Sequence, residues 1–229
     1  MAISGRYTAV LDACVLFPRL HRDILLSIAH ADLYTARWSA EIEKEWTTNY
    51  KKKYPDAEIN RLVDLMRQAI PDALIVGYEE FIPAIQLPDP DDRHVVAAAI
   101  RGNADAIVTS NTKDFPTVIL ATYDIEIQTP DQFVLNQIML HPSRALVAIK
   151  RMRERWEKPT MTSLDMVDLF EQRSLPQTAA RLRDMLDLIL RICKLFHLTK
   201  NICVKFLIPS PVRFSPKNFC SHLVYRRID

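Results

Sequence analysis

Apolar residues fall along this chain in two spacings. Residues 7–11, 33–37, 73–76, 106–109 and 125–128 are short, mostly apolar runs and read as strands. Between them the apolar positions recur every three to four residues. Residues 23–33 carry Ile24, Leu25 and Ile28 on one stripe, and residues 56–70 carry Ile59, Leu62, Val63, Met66 and Ile70. A third helix is predicted from Ser39, a suitable N-cap, to about residue 54, before Pro55. Residues 91–102 and 130–140 complete the helices, the first stopped by Gly102 and the second opened by Pro130. Short strands alternating with helices predict a three-layer α/β domain with a mostly parallel sheet.

Beyond His141-Pro142 the pattern turns helical throughout, over residues 143–156, 163–172 and 176–191. From about Lys194 no period holds, and Pro209, Pro211 and Pro216 interrupt the run. The predicted organisation is therefore a domain at 1–140, a small helical extension at 141–192, and a tail at 193–229.

Charge changes the picture only at that tail. The whole chain carries a formal +2, but residues 191–229 hold eight Lys or Arg against the one acid Asp229, a net +7, which leaves −5 for the remainder. The three glycines, Gly5, Gly77 and Gly102, are too far apart for a dinucleotide or P-loop fingerprint. The four cysteines form no C-x-x-C pair or zinc-like spacing. Neither a signal peptide nor a membrane span is predicted, so a reducing, cytoplasmic setting without membrane contact is expected.

The acids are where the chain becomes specific. Asp12 directly follows the first apolar strand. Asp89, Asp91 and Asp92 open the helix at 91–102, and Asp114 lies just beyond the strand at 106–109. Ligands of open α/β sheets bind at the carboxyl ends of strands, which is where these residues fall. Carboxylates gathered at one edge repel unless a cation joins them, and an oxygen-only set points to Mg²⁺ or Mn²⁺ and a phosphate-bearing substrate. Bland roles compete. Asp89 before Pro90 suits an N-cap, Asp91 a solvated first-turn acid, and Asp114 a turn cap. Glu41 and Glu45 share a helix face while Glu43 points elsewhere. His94 reads as a helix-surface residue, Cys14 as a reduced core residue, and the tryptophans as core or domain-contact groups.

The runs Val10-Leu11-Asp12, Asp89-Pro90-Asp91-Asp92-Arg93-His94-Val95-Val96-Ala97-Ala98-Ala99 and Val108-Thr109-Ser110-Asn111-Thr112-Lys113-Asp114-Phe115, with a glutamate on the helix after Ser39, resemble the PIN-domain nucleases. Among these they are most similar to the VapC-type ribonuclease toxins of type II toxin–antitoxin pairs. The stretch around Leu175-Pro176-Gln177-Thr178-Ala179-Ala180 resembles the C-terminal extension of one subgroup. The resemblance implies a PIN-like fold and an endoribonuclease dependent on Mg²⁺ or Mn²⁺. It implies Asp12, Glu45, Asp92 and Asp114 as catalytic acids, with Glu41 the fallback for Glu45, and Asp12, Asp92 and Asp114 as metal ligands. Asp89, Thr109 and Asn111 become accessory or substrate-contacting groups; Asn111 stands where other members carry Asp. The implied partners are an RNA substrate, a cognate antitoxin and a second copy in a homodimer. Two other function classes stay open: a PIN-type nuclease of RNA processing, and a non-catalytic nucleic-acid or partner-binding module. An aspartyl-nucleophile phosphatase is disfavoured, because Asp12-Ala13-Cys14 lacks the second Asp two residues on.

Overall fold

The computed structural model describes residues 6–156 and 160–186. Strand β1 (Thr8–Leu11) occupies the centre of a five-stranded parallel sheet. Its Ala9, Val10 and Leu11 are fully buried, as the unbroken apolar run requires of a strand covered on both faces. The chain proceeds through α1 (Ala13–Leu16), α2 (Arg19–His30), β2 (Thr35–Ser39), α3 (Ala40–Lys53), α4 (Ile59–Ala69) and β3 (Leu74–Ile75). It then crosses to α5 (Arg93–Arg101), β4 (Ala106–Val108), α6 (Thr117–Leu120), β5 (Glu126–Gln128), α7 (Pro130–Leu140) and α8 (Pro142–Glu154). Helices flank the sheet, giving the expected three-layer α/β/α arrangement.

Strand order is β3-β2-β1-β4-β5. From β1 the chain builds outward through β2 and β3, then returns and builds the other way through β4 and β5. Strands β1 and β4 are therefore neighbours on either side of the reversal, with Leu11 in register with Val108. Such a switch point leaves a crevice outside the carboxyl ends of the two strands.

Two predicted boundaries shift. Helix α2 begins at Arg19, since Pro18 stands extended at its N-cap and fixes the start. Strand β2 runs to Ser39 and passes directly into α3, whose N-cap Ser39 accepts a hydrogen bond from Ile42 N at 3.2 Å. Gly102 does end α5, but with φ −82°, so no left-handed turn explains it. Packing does: a Cβ there would lie 2.8 Å from Ile75 Cδ1 and 3.1 Å from Ala98 O.

The compact first unit runs to Glu154 and so includes α8. Helix α8 packs on α2 and α7, and Arg144 Nη2 donates to Ala31 O at 2.7 Å beyond the end of α2. His141 therefore marks a corner between two helices of one unit.

The second unit, described over 155–156 and 160–186, contains α9 (Ser163–Gln172) and a helix over 176–186. Thr162 and Asp165 form a reciprocal capping box at the start of α9. Arg183 then bridges Asp168 and Glu171 at 3.0 and 2.8 Å, fastening the two helices together. The rest of the predicted last helix and the basic tail, 187–229, lie outside the described residues. No helix among the described residues is long and apolar enough to cross a membrane.

Candidate functional site

Asp12 follows β1 directly and is 5% exposed. It occupies the N-cap position of α1 without using its side chain to cap. Oδ2 instead accepts from Thr109 Oγ1 at 2.7 Å and from Cys14 Sγ at 2.9 Å. Thr109 is fully buried at the end of β4, and its hydroxyl also accepts from Asn111 N at 3.0 Å. The carboxyl ends of β1 and β4 are thus joined by side chains as well as by the ladder. Cys14 belongs to this joint: its thiol is pushed up to about 12 by burial and by the adjacent Asp12, so it remains a protonated donor.

A second group comes from the start of α5 and the loop after β4. Asp89 caps the tight turn Pro90–Asp92, accepting from Asp91 N at 2.9 Å. Asp92 then occupies the N-cap of α5 and makes no side-chain cap hydrogen bond. A capping role therefore leaves its carboxylate unaccounted for. The Asp114 carboxylate accepts from the Asn111 amide. Ligand oxygens of Asp89, Asp92 and Asp114 all lie within 4.8 Å of one another, a spacing one cation can span. Burial first, then the charges of Asp12, Asp89, Asp114 and Asp91, push Asp92 up to about 6.

Helix α3 supplies the third side. Glu45 is half exposed and pushed up to about 7, by burial first and then by Asp12, Asp92, Glu41 and Asp91. Glu43, one step off that face, does something else. It accepts from Trp38 Nε1 at 3.2 Å and pairs with Arg67 Nη2 at 2.5 Å, bracing α3 against α4. Glu41 is 3.4 Å from the Tyr78 hydroxyl, whose proton it accepts.

The residues singled out from sequence thus meet at one edge, but not as one equidistant set. Asp89, expected as accessory, lies in the tight oxygen cluster with Asp92 and Asp114, where Asp12 was the expected ligand. Asp12 lies close enough to raise both Asp92 and Glu45, with its own Oδ2 engaged by Thr109 and Cys14. The Asn111 amide donates to the Asp114 carboxylate. His94 is the clearest correction. It is buried, 8% exposed, with Nε2 3.7 Å from Glu45 Oε2 and Nδ1 3.9 Å from Glu41 Oε2. Burial lowers its pKa despite the acids around it, so the ring is neutral at pH 7. The only sequence signal was its place two residues after Asp92, at the head of Val95–Ala99, which are all buried.

An acidic crevice at the switch point of a five-stranded parallel sheet defines a class, and residues 8–113 match the PIN domain family. Asp114 falls one residue past that match. Residues 130–184 match the VapC50 C-terminal domain, so the chain resembles the VapC-type PIN-domain proteins that carry a C-terminal extension. It is 36% identical over 111 residues to the protein named "Putative ribonuclease VapC50" of Mycobacterium tuberculosis, an alignment covering 48% of this chain and 64% of that relative. No solved structure matches the chain significantly.

Proposed function

We propose that the chain is a divalent-metal-dependent endoribonuclease and the toxin of a toxin–antitoxin pair. The observation that carries this reading is the meeting of Asp12, Glu45, Asp92, Asp89 and Asp114, from four separate segments, at one sheet edge. Asp92 and Glu45 are held well above the ordinary carboxylate range by burial and then by that crowding. The match of residues 8–113 to the PIN domain family and the ribonuclease name borne by the M. tuberculosis relative support the substrate class.

The donor set fits a hard cation. It offers carboxylate oxygens alone, and the crowded charges are relieved by a positive ion. Asp89, Asp92 and Asp114 would hold Mg²⁺ or Mn²⁺, with Asp12 completing the negative field from the β1 side. Such an ion supplies Lewis-acid polarisation of the phosphodiester and of an attacking water.

The chain's own residues do the rest. Thr109 and Cys14 fix the Asp12 carboxylate. Asn111 donates to Asp114, and in this reading its loop would contact a nonbridging phosphate oxygen. Glu45, on the α3 side of the acids, takes the proton of the attacking water on a carboxylate oxygen. In-line attack then leaves a 5′-phosphate and a 3′-hydroxyl. An antitoxin that masks this pocket, a homodimeric assembly and a cytoplasmic setting follow from the same reading.

The deciding experiment is cleavage of single-stranded RNA with Mg²⁺ or in chelator, with product ends mapped, for the parent chain and Asp92→Asn. Metal-dependent cleavage lost in Asp92→Asn supports the proposal. Equal cleavage in chelator overturns the metal mechanism. No cleavage under any metal, with RNA still bound, favours a non-catalytic binding module.

A further inference from the structure

Beside the acidic crevice, on the side of α1 and α3, lies an open pocket of about 330 Å³ lined by Ala13, Cys14, Phe17, Glu45, Trp46 and Asn49. It is continuous with the acidic site, because Glu45 and Cys14 belong to both. Along α3, Glu45, Asn49 and Lys53 recur every four residues and share one face. That face therefore reads acid, amide, cation, moving away from the Asp cluster.

The neighbouring row is aromatic. Phe17 meets Tyr50 edge-on at 5.8 Å between centroids, and Tyr50 meets Tyr54 at 4.7 Å. Lys53 Nζ stands 5.6 Å from both the Phe17 and Tyr54 rings. The row is held from behind by Arg22, which is buried. Its guanidinium lies 5.1 Å from the Trp46 ring and 5.2 Å from the Tyr50 ring. The same guanidinium donates to Leu16 O at 2.6 Å and Phe17 O at 3.2 Å, so the end of α1 and the face of α3 form one braced wall.

We infer that this pocket holds one unpaired nucleobase of the RNA strand next to the scissile phosphate. Phe17 stacks on the base, Asn49 hydrogen-bonds its edge, and Lys53 takes the adjoining phosphate. The chemistry of the wall selects that occupant. A nucleotide joins a flat π face to an anion, and here a half-buried phenyl ring and a carboxamide adjoin a lysine. Bases in a duplex are stacked and paired and cannot enter a side pocket, so the geometry also selects single-stranded RNA. The inference deepens the proposed ribonuclease function and rests on it.

The test uses the full chain carrying Asp92→Asn, with Ca²⁺ in place of Mg²⁺, so that binding is read without turnover. Two fluorescent hexanucleotides are compared by anisotropy: a single-stranded RNA and the same ribose-phosphate chain with every base removed. The expected result is a clear preference for the base-bearing strand. Phe17→Ala should shrink that preference by roughly 5- to 150-fold, the range of base–aromatic stacking. Asn49→Ala, at an exposed position, should shrink it with no change in melting temperature. Lys53→Ala should weaken both ligands alike and lower the salt slope by about 0.7. Unchanged preference in both Phe17→Ala and Asn49→Ala overturns the pocket, as does equal weakening of both ligands by these two variants. Failure of the parent to bind either strand overturns the ribonuclease reading as well, which separates the two failures.

Discussion

Thr109 donates to Asp12 across 2.7 Å, joining residues 97 positions apart at the carboxyl ends of adjacent strands. The bond is buried and ends on a carboxylate, the strongest kind of side-chain hydrogen bond in this site. It fixes the Asp12 carboxylate where its charge reaches both Asp92 and Glu45. Thr109→Val keeps the shape and removes the donor. It should cost about 1.5–3 kcal/mol in chemical denaturation and lower cleavage, whereas Thr109→Ser should restore most of both. A Thr109→Val protein as stable and active as the parent would show that Asp12 needs no such clamp.

The two glutamates two residues apart on α3 should separate cleanly. Glu43→Ala leaves the buried Trp38 Nε1 without its acceptor and Arg67 without its partner. It should lower stability by about 1–3 kcal/mol and leave cleavage per folded molecule intact. Glu45→Gln should do the reverse, with unchanged or higher stability in chelator and cleavage reduced by about 10²-fold or more. Exchange of the two phenotypes would reassign the second acid.

These residues show where legibility from sequence stops. The place of Asp12 was readable because a strand that ends in an acid delivers it to a fixed edge of the sheet, and that of Asp114 because the loop leaving β4 opens at the same edge. Asp92 was readable as an acid next to an apolar helix face. The glutamates were not fully readable. Periodicity separates Glu43 from Glu41 and Glu45, but the choice between those two depends on Asp12 and Asp92, which arrive from other segments. His94 failed for the opposite reason. Helical spacing marks a polar residue as exposed, and only the packing of α5 under three strands and the turn at Glu79–Ala84 buries it. Local punctuation such as His141-Pro142 is the same for a linker and for a tight turn between packed helices, here α7 and α8.

Cys14 should resist alkylation while the protein is folded. Burial and the Asp12 carboxylate hold its thiol up to about 12, so thiolate is scarce at pH 8. Peptide mapping after a short iodoacetamide pulse should find Cys14 largely unmodified in the native protein and fully modified in denaturant. Fast labelling of native Cys14 would contradict the hydrogen-bonded joint described here.

The crowded acids predict an unusual pH dependence for the metal-free protein. Asp92 titrates near 6 and Glu45 near 7 in the folded chain, both above their unfolded values of about 4. Below about pH 4 both groups are protonated folded or unfolded, and neither penalises folding. As pH rises from there, the unfolded chain loses these protons first while the folded chain keeps them. Folding then takes up protons, so stability falls with rising pH until the folded groups also ionise near 6 to 7. In chelator, the melting temperature should therefore decline between about pH 4 and pH 7 by more in the parent than in Asp92→Asn. At pH 7 in chelator, Asp92→Asn should melt at or above the parent, because one repelling charge is gone. Added Mg²⁺ should raise the parent more than the variant, since stabilisation by a ligand follows its affinity for the folded state. If Asp92 instead serves only to cap α5, the substitution should lower the melting temperature at every pH and leave cleavage unchanged. The two roles predict opposite signs in the same melt, and a destabilised, fully active Asp92→Asn would remove it from the site.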